Sequence, residues 1–276
     1  MRKTVLITGC STGFGLATAQ HFATQGWNVV ATMRNPAMSS LKESHDVLVT
    51  RLDVQDRPGI DAALQAGIAR FGGIDVVVNN AGFGLHGVFE STPREKVLEQ
   101  FEVNVFGVMD VVRATMPHFA ERGHGTFVNV SSGAGVFTLP LLSLYCASKF
   151  ALEGFSEALA YELSSQNVKV KIVEPGGVLD SRFVTRSGEE AVRNEVPERY
   201  RSFVRATAEV FARLRNDRAG ATSEDVARVI FEAATDGTDR LRYLGTEGIR
   251  SLLSLRRERS EDAYIATMRE RFLAKT

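Results

Sequence analysis

Strand-length apolar runs alternate with helix-length amphipathic segments along most of this chain, and no other feature constrains its fold as strongly. Runs rich in Val and Ile without polar alternation are buried on both faces, as in a parallel sheet covered by helices on each side. Strands are expected at Val5–Thr8, Val29–Thr32, Val47–Leu52, Val76–Asn79, Phe127–Val130, Val170–Val173 and Leu241–Leu244. Helices are expected between them, at Phe14–Gln25, Pro58–Arg70, Arg94–Glu121, Tyr145–Gln166 and Ser223–Thr235. The fold class is therefore α/β, a doubly wound parallel sheet of about seven strands. A length of 276 residues accommodates this as a single domain over residues 1–276.

Only Leu179 to Gly220 breaks the pattern, with mixed charge and no period, and a segment of this kind after the sixth strand is expected to form a substrate lid over 179–220. Near the end, Arg256 to Asp262 alternates in charge and is expected to be a solvated helix face.

Hydrophobic content of 44% supports a substantial core, and Lys+Arg equals Asp+Glu at 33 each. No bulk field draws the chain to nucleic acid or to an anionic membrane. No window approaches the roughly 18 apolar residues that span a bilayer. Met1-Arg2-Lys3 resembles a leader opening, but glycines interrupt the apolar run that follows, so a strand is expected instead. Cys10 and Cys146 lack C-x-x-C spacing, which argues against a disulfide framework and for a reducing, cytoplasmic setting. His21, His45, His86, His118 and His124 are scattered, so no metal site is expected.

Two segments carry chemistry. In Thr8-Gly9-Cys10-Ser11-Thr12-Gly13-Phe14-Gly15 the glycines stand between a strand and a helix, the context of a dinucleotide site. Gly9 permits the tight turn, Gly13 lets backbone approach a pyrophosphate, and Gly15 allows close helix–strand packing; the helix start offers free N–H groups to phosphate. No Gly-Lys-Ser/Thr closes the turn, which excludes a P-loop. The next strand ends at Arg34 where an acid would bind the ribose of NAD, and an arginine there favours NADP, with NAD left open. Asp53 and Val54 are placed to face the adenine. Asn79, Asn80, Ala81 and Gly82 follow the fourth strand at the cofactor floor, where two adjacent asparagines need their amides used.

The second segment is Tyr145-Cys146-Ala147-Ser148-Lys149, with Ser132 upstream at a strand end. On a helix, Tyr145 and Lys149 share a face one turn apart. Lowering a tyrosine by about 3 pH units takes roughly 4 kcal/mol. An ammonium about 4–5 Å away in an effective dielectric of about 20 supplies roughly that much. Asn104, inside Phe101-Glu102-Val103-Asn104-Val105-Phe106, is a polar group on a buried helix that needs a partner such as an ordered water. Phe83, Phe137, Leu142 and Phe183, together with Leu85 and Leu139, are candidates to line an apolar substrate pocket.

Taken in order and spacing over residues 4–178, with a weaker tail to Leu244, these motifs resemble the short-chain dehydrogenases/reductases. Asn104, Ser132, Tyr145 and Lys149 match the four catalytic positions. The resemblance implies a Rossmann fold with Tyr145 as general acid/base and Ser132 orienting the substrate carbonyl. Lys149 would bind the nicotinamide ribose and lower the tyrosine pKa, and Asn104 would fix a water. Pro175-Gly176-Gly177-Val178 is similar to the segment beside the nicotinamide. Two residues past Val178 the family often has Thr; this chain has Asp180, and Ser181 is the candidate to replace it. The run Tyr145–Leu163 and the strand end Ala31–Arg34 are most similar to hydroxysteroid and retinol dehydrogenases, which implies an apolar substrate. The family also implies a homodimer or homotetramer through the helices expected at Arg94–Glu121 and Tyr145–Gln166.

The expected function is an NADP(H)-dependent oxidoreductase that interconverts a carbonyl and an alcohol on a small molecule. Two alternatives stay open: an NAD-linked alcohol dehydrogenase of the same fold, and a non-catalytic dinucleotide-sensing regulator.

Overall fold

The computed structural model describes residues 2–178, 196–216 and 220–273. Seven strands form one parallel sheet: β1 Thr4–Ile7, β2 Asn28–Met33, β3 Val47–Arg51, β4 Val76–Asn79, β5 Gly125–Val130, β6 Val168–Glu174 and β7 Arg242–Leu244. Their order is β3-β2-β1-β4-β5-β6-β7, every pairing parallel. All seven expected strands are present, with ends displaced by a residue or two.

Period-two geometry sends alternate side chains to opposite faces. Val5, Ile7, Val29, Ala31, Val76 and Val78 enter one core with Phe22, Trp27 and Ile230. Leu6, Val30, Val77, Phe127 and Val170 enter the other, with Leu64, Val111 and Leu152. The first face is covered by α1 (Gly13–Thr24) and by the helix Ser223–Thr235; the second by α2 (Arg57–Phe71) and two longer helices. Asp56 caps α2, its carboxylate accepting from Gly59 N.

The helix expected over Arg94–Glu121 is three pieces. α3 (Arg94–Phe101) passes through a π-helical turn, Glu102–Phe106, into α4 (Gly107–Arg122), with Gly107 N donating five residues back to Glu102 O. Such turns mark places where a helix inserts an extra residue to aim a side chain, and Asn104 sits in this one. α5 (Ser143–Ser164) matches the helix expected at Tyr145–Gln166.

Beyond Val178, α6 (Arg201–Asn216) lies within the span expected as a lid, and the rest of that span, 179–195 and 217–219, lies outside the described residues. α7 (Ser223–Thr235) is closed by a capping box from Thr222 and Asp225. Arg257–Asp262 is exposed, as expected of a solvated segment, but it is not one helix. It spans the end of α8 (Arg250–Glu258), the Ser260 cap and the start of α9 (Glu261–Phe272). Leu252, Leu253, Tyr264, Met268 and Phe272 of these helices are buried with Phe137 and Ile249 in a third apolar cluster. The charge alternation marks these exposed residues but not the break at Ser260, which resets the helical phase between the inward-facing apolar residues on either side.

Candidate active site

In a sheet of this order the strand connections diverge between β1 and β4, and a crevice opens at their carboxyl ends. The glycine turn lies there. Gly9 and Gly13 have φ of 76° and 57°, values that side chains rarely adopt. A Cβ on Gly15 would stand 2.3 Å from Gly9 O and 2.5 Å from Asn80 Nδ2, whereas one on Gly13 would meet nothing within 4 Å. The turn is thus packed shut behind and open in front.

Asn80 holds it in place. Its Nδ2 donates to Thr8 O at 2.8 Å and Gly9 O at 3.2 Å, while Thr8 Oγ1 accepts from Asn80 N and Ala81 N at 3.0 Å each. Asn79 Nδ2 donates to Asn129 Oδ1 (2.9 Å), and Asn129 Nδ2 to Ser156 Oγ (2.8 Å). Buried Asn79 uses its amide nitrogen while its Oδ1 has no partner among the described residues, and half-buried Asn80 acts on the turn itself.

α1 begins without a cap. Thr12 is extended and its side chain makes no cap hydrogen bond, and no acidic residue stands in the first turn. Exposed Ser11 and Thr12 flank this open, dipole-positive end. A backbone cradle with open space before Gly13 and unfilled N–H groups fits a pyrophosphate, with Gly9, Ser11, Thr12, Gly13, Phe14 and Gly15 as its holders. Arg34 is exposed past β2 and has no hydrogen bond or ion pair among the described residues. Asp53 Oδ1 accepts from Gln55 N at 3.2 Å, and Val54 is 7% exposed and packed beneath the start of α4.

The residues expected to transfer a proton gather at the carboxyl end of β5. Ser132 Oγ accepts from Ala134 N at 3.1 Å and donates to Pro175 O at 3.4 Å. It also lies near enough to the Tyr145 phenol to favour its charged form. Lys149 Nζ lies 5.9 Å from the centre of the Tyr145 ring and donates to Val130 O at 2.9 Å. Burial pushes the Tyr145 phenol up to about 12, with Ser132 opposing, and brings Lys149 down to about 8, with Glu153 opposing. The lowering of Tyr145 expected from Lys149 is therefore absent in the protein alone. At 8% and 5% exposure both groups lose hydration of their charged forms, and that outweighs their mutual attraction.

Asn104 is 1% exposed and fully engaged: Oδ1 accepts from Phe83 N (3.0 Å), and Nδ2 donates to Phe83 O (2.8 Å) and Ser148 Oγ (3.0 Å). Its side chain thus ties the loop after Gly82 to α5.

Gln100, one turn earlier, completes this clamp and was missed in the sequence. Its Oε1 accepts from Leu85 N at 2.8 Å and its Nε2 donates to Phe83 O at 2.6 Å. A second uncharged amide four residues before Asn104 was the available signal. Replacing Gln100 by Ala leaves Leu85 N–H buried without its acceptor. The expected loss of stability is about 2 kcal/mol, read from urea unfolding; an unchanged midpoint would contradict the clamp.

The remaining wall is mixed. Gly176 N donates to Thr246 Oγ1 at 2.8 Å, and a Cβ there would stand 2.5 Å from Ile249 Cγ2. Pro175 O accepts from Gly133 N at 2.9 Å, and Val178 is buried in the first core. Leu142 packs beside Tyr145 with Ala134 and Cys146. Phe83 is 4% exposed, and Phe137, 2% exposed, belongs to the cluster built by the last helices. Gly87 N donates to Leu141 O at 2.8 Å, joining the loops on either side of the crevice. His86 meets Phe211 of α6 edge-on at 6.2 Å. Glu90 accepts from Arg199 and, at 2.9 Å, from Tyr200, which fastens the entry to α6 onto the same loop. Ser181 and Phe183 lie outside the described residues.

The model of the family described as short chain dehydrogenase matches residues 3–191. Over 240 residues the chain is 36% identical to an uncharacterized oxidoreductase of Schizosaccharomyces pombe, covering 86% of this chain and 98% of that one. It is 38% identical over 185 residues to 3-ketodihydrosphingosine reductase of Bacteroides thetaiotaomicron, covering 66% and 67%. A solved short chain dehydrogenase/reductase from Burkholderia phymatum, in complex with NAD, superposes with a TM-score of 0.76 at 27% identity, covering 93% of each chain. The chain belongs to the short-chain dehydrogenase/reductase family of oxidoreductases. A nicotinamide dinucleotide is the cofactor class that its fold and relatives support. Among the described residues no helix is long and apolar enough to cross a membrane.

Proposed function

We propose that this chain is an NADP(H)-dependent oxidoreductase that interconverts a carbonyl and an alcohol on an apolar small molecule, with Tyr145 as the general acid/base. The observation that carries the proposal is the gathering of Ser132, Tyr145 and Lys149 at one strand end, with the Ser132 hydroxyl near enough to the phenol to favour its charged form and the ammonium 5.9 Å from the ring centre. Bound dinucleotide supplies the hydride and, when oxidised, a positive charge near the phenol.

In the reducing direction Ser132 holds the substrate oxygen and Tyr145 donates its proton to that oxygen as the alcohol forms. A phenol held protonated by burial is the acid this step needs. Lys149, charged, stabilises the phenolate left behind and offers donors to the ribose. Asn104 positions α5 against the crevice loop. Apolar Leu142 beside Tyr145, together with the relative that reduces 3-ketodihydrosphingosine, supports an apolar ketone. Exposed Leu98, Phe106 and Phe150 on the α3–α4 and α5 helices support assembly with a second copy through those helices.

Turnover of NADPH across ketosteroids, retinoids, sugars and aliphatic ketones tests the reading; no activity on any carbonyl would remove its basis. A second reading, NAD as cofactor, is favoured by the NAD-bound relative. Arg34→Ala separates the two. Losing a charge-assisted contact to the 2′-phosphate should weaken NADPH about 10- to 100-fold and leave NADH unchanged in binding titrations. Equal effects on both cofactors would favour NAD.

A further inference from the structure

Lys149 is 5% exposed, and Val130 O is its sole hydrogen-bond partner among the described residues. A buried ammonium with so little support gives up its proton unless an anion faces it. One turn further along α5 stands Glu153, 6% exposed and attractive to the Lys149 charge.

Glu153 has its own supports. Arg242 on β7 donates Nε to Glu153 Oε2 at 3.0 Å and Nη2 to Glu157 Oε2 at 2.5 Å, with Nε 3.5 Å from Glu174 Oε1. Glu174 ends β6, is 1% exposed, and takes Nη2 of Arg257 on α8 at 2.5 Å. Burial, with Glu174 adding, pushes the Glu153 carboxyl above its usual range; Arg242 and the nearby Ser131 hydroxyl oppose this, while Glu153 Oε1 and Ser131 Oγ have no hydrogen-bond partner among the described residues. Both flank Gly135, where a Cβ would meet Ser131 Oγ at 2.8 Å and Glu153 Cγ at 2.9 Å. Arg242 and Arg257 thus link Glu153, Glu157 and Glu174 by ion pairs, and Lys149, one turn before Glu153 on α5, adds a third positive charge that makes no ion pair within 4 Å among the described residues. The charged array leads from Tyr145 along one face of α5 and across two strands to a C-terminal helix.

We propose that Glu153 is a positioning residue for Lys149: anchored by Arg242, its carboxylate keeps the Lys149 ammonium charged beside Tyr145. The proposal rests on the reading of Lys149 as part of the reaction site. A purely structural Glu153 would only fasten β7 to α5. Glutamine still accepts from Arg242 and keeps that fastening, but carries no charge to Lys149.

The Nζ resonance of the full-length protein labelled with ¹⁵N-lysine, assigned with a Lys149→Met variant, reports the Lys149 charge without any substrate. Glu153→Gln is expected to lower its midpoint by about one pH unit, and Glu153→Asp to leave it near the parent value. The alkaline limb of turnover, where activity falls as Lys149 loses its proton, should move down in parallel. An unmoved midpoint in Glu153→Gln, or an equal shift in Glu153→Asp, overturns the proposal.

If Glu153→Gln does not fold, the parent suffices. Coupled groups titrate together, so the Glu153 carboxyl ¹³C resonance must show a step at the Lys149 midpoint, and its absence would be equally fatal. A chain inactive on every carbonyl removes the reaction reading and leaves this titration readable.

Discussion

Replacing Tyr145 by Phe lowers turnover about 10³-fold with cofactor binding unchanged, the size of effect expected when a positioned general acid is removed. Only one oxygen is lost, and the ring keeps its packing against Leu142, Ala134 and Cys146. Stability should therefore hold, so the deficit belongs to the proton step. In the parent, activity with saturating cofactor should fall as pH rises through about 8, because Lys149 then loses the charge that stabilises a departing phenolate. Single-turnover measurements of both proteins at pH 7 decide the matter. A Phe variant as fast as the parent would assign proton transfer elsewhere and leave Tyr145 a packing residue.

Gly15→Ala has the second-largest expected effect, through a different cause. The added methyl would collide with Gly9 O at 2.3 Å, an atom of rigid backbone that cannot swing aside. Asn80 Nδ2, at 2.5 Å, is held by Thr8 O and Gly9 O and cannot yield freely. Relief requires the glycine turn and α1 to separate, which should cost about 1–3 kcal/mol of stability. It also displaces the N–H groups offered to phosphate. Dinucleotide affinity should drop more than tenfold by calorimetric titration. By contrast Gly13→Ala meets no neighbour within 4 Å and is strained only by its φ of 57°. Equal affinities for parent and Gly15→Ala would mean that the turn is not the phosphate cradle.

The sheet was legible because its signal is local: each strand is a short Val/Ile-rich run, and burial on both faces leaves no ambiguity of phase. The glycine turn and the Tyr145–Lys149 pair were legible as motifs because positive φ and i,i+4 spacing are local properties, whereas the approach of Ser132 to them is tertiary. The π-helical turn was not, since an extra residue in a helix leaves no mark on a hydrophobic pattern already interrupted by Glu102 and Asn104. Gln100 and Glu153 were hidden for a related reason. A polar residue on an amphipathic helix is ordinarily solvated, and only the three-dimensional approach of Leu85 N or Arg242 shows that it is buried and used. The last helices escaped because their apolar residues are few and out of phase across Ser260. Sequence gives the separation of Tyr145 and Lys149 and not the water each has lost, so the upward push of burial on the phenol was not legible.

The uncapped start of α1 has a consequence for the life of the chain. Helices α2, α7 and α9 close their first turn with Asp56, Thr222 and Ser260, whereas α1, like α3, α5 and α8, has no side-chain cap, and its open end is the one that lies at the glycine turn. A dinucleotide seated there would act as the missing cap, so metabolite supply becomes part of the folding equilibrium. At a hundredfold excess over Kd such a ligand adds about 2.7 kcal/mol. In a cell where that dinucleotide runs low, the chain would unfold and be degraded sooner, and its abundance would follow the cofactor pool it draws on.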